Sequence, residues 1–140
     1  MTPGEMMERG VFEGKYMNDQ KSEFPQQWFS KARIVGLGEP PDITKNCFGI
    51  KSRQPLSVWI QKRWIIAPDP RGWFQWYCRY YLGRRIPDVD RVQIRRWKSF
   101  VSRHLAQFVK NCCKSGGMMP SCRLRQRQAL LQWAFWAECN

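Results

Sequence analysis

The segment that most constrains this chain runs from Asp69 to Arg85: Asp-Pro-Arg-Gly-Trp-Phe-Gln-Trp-Tyr-Cys-Arg-Tyr-Tyr-Leu-Gly-Arg-Arg. Its punctuation predicts a helix over 71–82. Asp69 has a side chain suited to capping, and Pro70 is tolerated at a first helical position because that N–H needs no partner. Gly83 reaches the left-handed conformation that ends helices. Between these signals the residues are apolar on every side apart from Gln75 and Arg79. A helix of that kind belongs in the middle of a domain. It is too short to span a bilayer, so no membrane partner is expected. Arg84 and Arg85 follow where the helix dipole favours cations.

Charge supplies the second constraint. The 140 residues carry a net charge of +13, unevenly placed. Residues 1–50 hold six Lys or Arg against seven Asp or Glu, whereas residues 51–140 hold eighteen against four, a balance of +14. Such asymmetry predicts a polyanionic partner for the second half, with a plain solvated basic surface as the alternative. Six cysteines are present, and the first twenty residues lack the apolar run of a secretory leader. That combination predicts reduced thiols and an intracellular protein, cytoplasmic or nuclear.

Along the chain, residues 1–9 read as a frayed end. Pro25 and Pro55 open helices over 25–32 and 55–63. Asp88 caps a long helix over 89–110, whose apolar stripe is Ile94, Trp97, Val101, His104 and Phe108. A last helix covers 123–137. Residues 111–121, with Gly116-Gly117 and Pro120, form a loop. Lys51 and Ser52 before the second helix are too common a pattern to mark a phosphate site. The expected fold is mostly α: one compact helical bundle over 1–140 with an aromatic core. Strand content is minor and lies in the N-terminal half.

The string Gly72-Trp73-Phe74-Gln75-Trp76-Tyr77-Cys78-Arg79-Tyr80-Tyr81-Leu82-Gly83-Arg84-Arg85, with Arg91-Val92-Gln93-Ile94-Arg95-Arg96-Trp97 after it, resembles an uncharacterised family of small proteins from fungi, plants, algae and large DNA viruses. The flanks 10–16, 23–29, 48–51 and 123–133 are similar too. The resemblance implies one compact module and implies no activity.

Three constellations carry candidate chemistry. Arg123, Arg125 and Arg127 open the last helix, where the dipole disfavours cations by some tenths of a kcal/mol each. A bound phosphate relieves that conflict, and carboxylates from the acidic half are the alternative. Arg79, Arg84, Arg85, Arg91, Arg95 and Arg96 form a second set interleaved with aromatics, a pattern suited to phosphate contact and base stacking. Aromatics on a central helix more often serve as core, so the arginines and no particular tryptophan are the candidate site. His104 is the lone histidine. It is a core residue, or a general base with a carboxylate brought near by the fold, Asp69, Glu39 and Asp42 being the candidate acids, or a metal ligand with Cys112, Cys113 and Cys122. The last spacing fits no common zinc module, so neither zinc nor any other cofactor is expected. No Walker loop, nucleophile elbow or dinucleotide fingerprint occurs. The leading expectation is nucleic-acid binding, to DNA or RNA. The alternative is a small enzyme acting on a nucleic-acid or phosphorylated substrate, with His104 or Asp69 in acid–base roles. An adaptor for an acidic protein is a third.

Overall fold

The computed structural model describes residues 1–51, 53–113 and 119–139. Ser52 and the Gly116-Gly117 pair lie outside the described residues. The chain forms a mostly helical single domain. Helices α1 (Pro3–Arg9), α2 (Leu56–Gln61), α3 (Trp73–Tyr81), α4 (Pro87–Cys112) and α5 (Leu124–Leu131) occur in that order. Among the described residues, β pairing amounts to an isolated antiparallel bridge between Ile66 and Asp69. The predicted helix over 25–32 is a single 3-10 turn, Gln26–Trp28.

Helix α3 is the expected hub, with Trp73, Phe74, Gln75, Trp76 and Cys78 buried. It ends as predicted. Gly83, at φ +102°, donates its N–H to the Tyr80 carbonyl (3.0 Å), and Arg84 donates to the Arg79 carbonyl (3.0 Å). This paired closure satisfies two carbonyls left over at the helix end. Its start differs from expectation. Asp69 does not cap it; Gly72 takes the N-cap position, and the Arg71 N–H donates to the Gln75 side chain instead (3.0 Å). The Asp69 carboxylate is held by two arginines. Arg79 donates at 2.9 Å, and Arg84 donates from both guanidinium nitrogens at 2.8 and 2.5 Å. Arg79 also pairs with Glu23.

Helix α4 begins at Pro87, and Asp90 performs the service expected of Asp88. Its carboxylate accepts the Ile86 N–H and the Trp76 indole N–H, both at 2.8 Å, so one side chain closes the helix and ties it to α3. Helix α5 stops at Leu131, short of the predicted 137. Ala134 adopts φ +55° and donates to the Leu131 carbonyl, while Phe135 donates to that of Leu130, both at 3.1 Å. The Trp97 indole N–H then takes the freed Trp133 carbonyl at 2.7 Å, so a tertiary bond fixes the early stop.

The N-terminal half is irregular but pinned. The expected frayed end is instead α1, closed by a reciprocal Thr2–Glu5 capping box and anchored by buried Met6 and Met7. Buried Asn46 accepts the Glu13 N–H (2.7 Å) and donates to the Ile50 carbonyl (2.8 Å). Gln128 of α5 reaches across to the Gly10 carbonyl and the Phe48 N–H.

Two core clusters result. One gathers Met6, Met7, Met17, Phe24, Phe74, Trp76 and Leu131 around α3. The other holds Val101, Phe108, Leu130 and Ala137 between α4 and α5, and Trp97 and Trp133 pack against both.

The cysteine expectation is corrected. Cys112 bonds Cys122 and Cys113 bonds Cys139, leaving Cys47 and Cys78 free. The fold brings the end of α4 beside both the start of α5 and the C-terminal tail, which places these thiols in bonding range. An intracellular location therefore loses the support of reduced cysteines. Among the described residues, no helix is long and apolar enough to cross a membrane.

Candidate functional site

The nine candidate arginines do not form one surface. Arg79 and Arg84 belong to the Asp69 cluster, where the carboxylate is fully buried. Their role is structural, and Asp69, with its oxygens occupied, is not free for acid–base chemistry. Arg85 lies over the Tyr80 ring (3.8 Å) and donates to two backbone carbonyls. Arg91 pairs with Asp88 in solvent. Arg127 is turned inward, donating to the Pro120 carbonyl (2.9 Å) and stacking on Phe48 (4.4 Å). It does not share a site with Arg123 and Arg125.

The remaining four converge. On α4, Arg95, Arg96, Ser99, Phe100, Arg103 and His104 recur with helical spacing and line one wall of a cleft of about 860 Å³. Arg123 and Arg125, at the start of α5, line the opposite side. The aromatic surface between is supplied by Trp59, Trp64, Trp73 and Trp133, together with Phe100. Phe100 stacks on Trp133 at 4.9 Å, and Trp133 packs on Trp73 at 4.8 Å, so this surface is continuous with the core. Trp59 and Trp64 meet edge to face at 5.5 Å.

Among the described residues, no Asp or Glu lines the cleft. Arg95, Arg103, Arg123 and Arg125 are exposed, and none forms an ion pair among the described residues. Arg96 plays a different part. It donates to the Trp64 carbonyl at 2.7 Å, which holds the loop after α2 against α4. Burial lowers its pKa from the ordinary arginine value. The cleft thus gathers four arginines, without ion-pair partners among the described residues, alongside aromatic side chains, and two of these arginines sit at a helix start where the dipole adds to the repulsion.

His104 is half-buried in this cleft, not sealed in the core. Its ring lies 4.1 Å from that of Phe100. The Gln126 amide nitrogen sits 3.2 Å from His104 Nδ1 and 3.1 Å from the side-chain Oε1 of Gln107. An amide NH₂ offers two protons, one for each contact, and Nδ1 accepts when the ring carries its proton on Nε2. Burial, then the nearby Arg103 charge, lowers the His104 pKa from its ordinary value. Among the described residues no carboxylate hydrogen-bonds this ring. The metal alternative is corrected as well: Cys112, Cys113 and Cys122 have no thiolate to offer, being disulfide-bonded.

Sequence reasoning reached Arg95, Arg96, Arg123 and Arg125 through their charge. It named none of Arg103, Trp59, Trp64, Phe100 and Trp133 as a site residue. For Arg103 the i, i+4, i+8 spacing from Arg95 through Ser99 was the available signal. For the tryptophans the interleaving with arginine was the only one. Compared with protein-family models, curated proteins and solved structures, the chain matches none.

Proposed function

We propose that the protein binds single-stranded nucleic acid, DNA or RNA, in the cleft between α4 and the start of α5. The observation that carries this reading is the convergence of Arg95, Arg103, Arg123 and Arg125, without a carboxylate, on a surface of tryptophan and phenylalanine rings. Guanidinium groups contact phosphate oxygens through planar, paired donors, and they need no particular base. Aromatic faces stack unpaired bases, each such contact being worth about 1–3 kcal/mol. A duplex hides those faces in its own stack, so the combination favours an unpaired strand. The excess of basic residues after position 50 supports the same partner at longer range.

The test is a fluorescence-anisotropy titration with labelled twelve-nucleotide DNA and RNA strands and the matching duplexes at two salt concentrations. The single strands are expected to bind more tightly than the duplexes, and less tightly at the higher salt. Equal affinity for strand and duplex counts against the aromatic contribution. Absence of binding to all four rejects the reading.

A second reading, an enzyme acting on a nucleic-acid or phosphorylated substrate, draws on one observation: His104 lies in the same cleft beside Arg103. Its imidazole can give or take a proton near neutral pH. Strand cleavage by the native protein, abolished in His104→Gln with binding retained, is the outcome that favours it.

A further inference from the structure

Beside the arginine cleft lies a second hollow of about 410 Å³. Trp59, Trp73 and Trp133 line both cavities, so the two share a wall. The far side of the second hollow is a cluster of rings. Phe12, Tyr16 and Phe74 pack on one another with centroids 4.6 to 5.4 Å apart.

The two cavities differ in the state of their charges. In the cleft the arginines lack carboxylate partners among the described residues. In the second hollow they have them: Arg71 makes a paired contact with Asp19 at 2.6 and 2.8 Å, and Arg53 meets Glu13 at 3.1 Å. Lys15 also lines the hollow and donates from its ammonium to the Glu39 carbonyl at 2.6 Å; the rest of the lining is neutral and largely aromatic. Burial pushes the Tyr16 phenol up, which keeps it uncharged at neutral pH. Asn18 donates its amide protons to the Val35 and Gly36 carbonyls, both at 3.3 Å, while no hydrogen bond reaches its Oδ1 among the described residues. The hollow therefore offers flat apolar walls and a polar acceptor. Its volume lies within the range of small-ligand sites.

A group that fits this pair of cavities is planar and uncharged at one end and anionic at the other. We propose that the second hollow receives one unstacked nucleobase of the bound strand while the adjoining phosphates lie in the arginine cleft. The inference rests on the proposed single-strand binding and adds a requirement that backbone binding alone does not make: one nucleotide position matters more than its neighbours.

The experiment uses the full chain and an adenine pentanucleotide, intact or carrying one abasic residue at each of the five positions. Loss of the seated base is expected to weaken binding about tenfold to a hundredfold at one position, with at most small effects elsewhere. Leu37 is exposed and lines the hollow, so Leu37→Trp fills it with little expected effect on folding. In that variant the intact and abasic pentamers are expected to bind alike, with the salt dependence unchanged. If all five abasic pentamers match the intact one in the native protein while salt-dependent binding persists, the base hollow is wrong and the cleft reading stands. If no pentamer binds in a salt-dependent way, the cleft reading has failed, and equilibrium dialysis with free adenosine decides the hollow alone. Uptake that is lost in Leu37→Trp supports it, and no uptake overturns it.

Discussion

Replacing Asp69 by alanine removes the carboxylate at the centre of the hub and leaves Arg79 and Arg84 facing each other. Breaking a buried ion pair by removing one partner costs about 3–5 kcal/mol, because the other charge is stranded. Here the carboxylate has no solvent exposure, but the arginine side chains are 24% and 26% exposed and recover some hydration. Glu23 also remains as a partner for Arg79. The expected loss therefore lies near the low end, about 3 kcal/mol. In a domain of this size that lowers the melting temperature by roughly 10 °C. Thermal unfolding followed by circular dichroism, without reductant, measures it. Asp69→Asn keeps the shape and removes the charge, and it is expected to lose nearly as much. Strand affinity per folded molecule is expected to stay unchanged in both. A loss below about 1 kcal/mol, the value of an exposed pair, refutes the structural role assigned to Asp69.

Three further outcomes follow from the thiols and from His104. Alkylation of the unfolded, unreduced protein is expected to label two cysteines, Cys47 and Cys78, and reduction to expose four more; mass measurement showing six free thiols from the start contradicts the disulfides. In the folded protein Cys78 is expected to react more slowly than Cys47, since Cys78 is fully buried and burial raises both thiol pKa values. The folded His104 pKa lies below its ordinary value of 6.5, so the unfolded chain takes up the proton first as pH falls. Stability is then lost on acidification below about pH 6.5, and His104→Gln is expected to flatten the decline that begins there. Parallel curves for the two proteins contradict this.

The hub helix was legible because its signals are local: apolar residues on every side and a glycine at Gly83 that ends the last turn. The α4 stripe was legible for the same reason, and Val101 and Phe108 are buried as its spacing requires. What failed depends on partners distant along the chain. Asp69 reads as a cap in its own neighbourhood, yet Arg79 and Arg84 come ten and fifteen residues later and draw its carboxylate away. The last helix carries no proline or glycine to announce its end; Ala134 turns there because Trp97 of α4 holds the Trp133 carbonyl. Cysteine pairing has no local signature either. The first helix is a different case. Thr2 and Glu5 have capping-box spacing, so the signal for this helix is local and present in the sequence. In the site, charge identified arginines but not their directions. Arg125 faces the cleft while Arg127, two residues on, turns inward to Phe48. Sequence does not tell which aromatic faces a fold leaves open, and so the tryptophan surface was not foreseen.

The central claim is that Arg95, Arg103, Arg123 and Arg125 contact the phosphates of a single strand. The most direct measurement is the slope of log affinity against log salt for a labelled single-stranded oligonucleotide, native protein against the fourfold alanine variant. Each phosphate contact on a single strand contributes about 0.7 to that slope, so removing four is expected to flatten it by roughly 3. Arg85→Ala with Arg91→Ala, which changes net charge outside the cleft, is expected to leave the slope nearly unchanged. A fourfold variant that folds normally and keeps the native slope contradicts the claim.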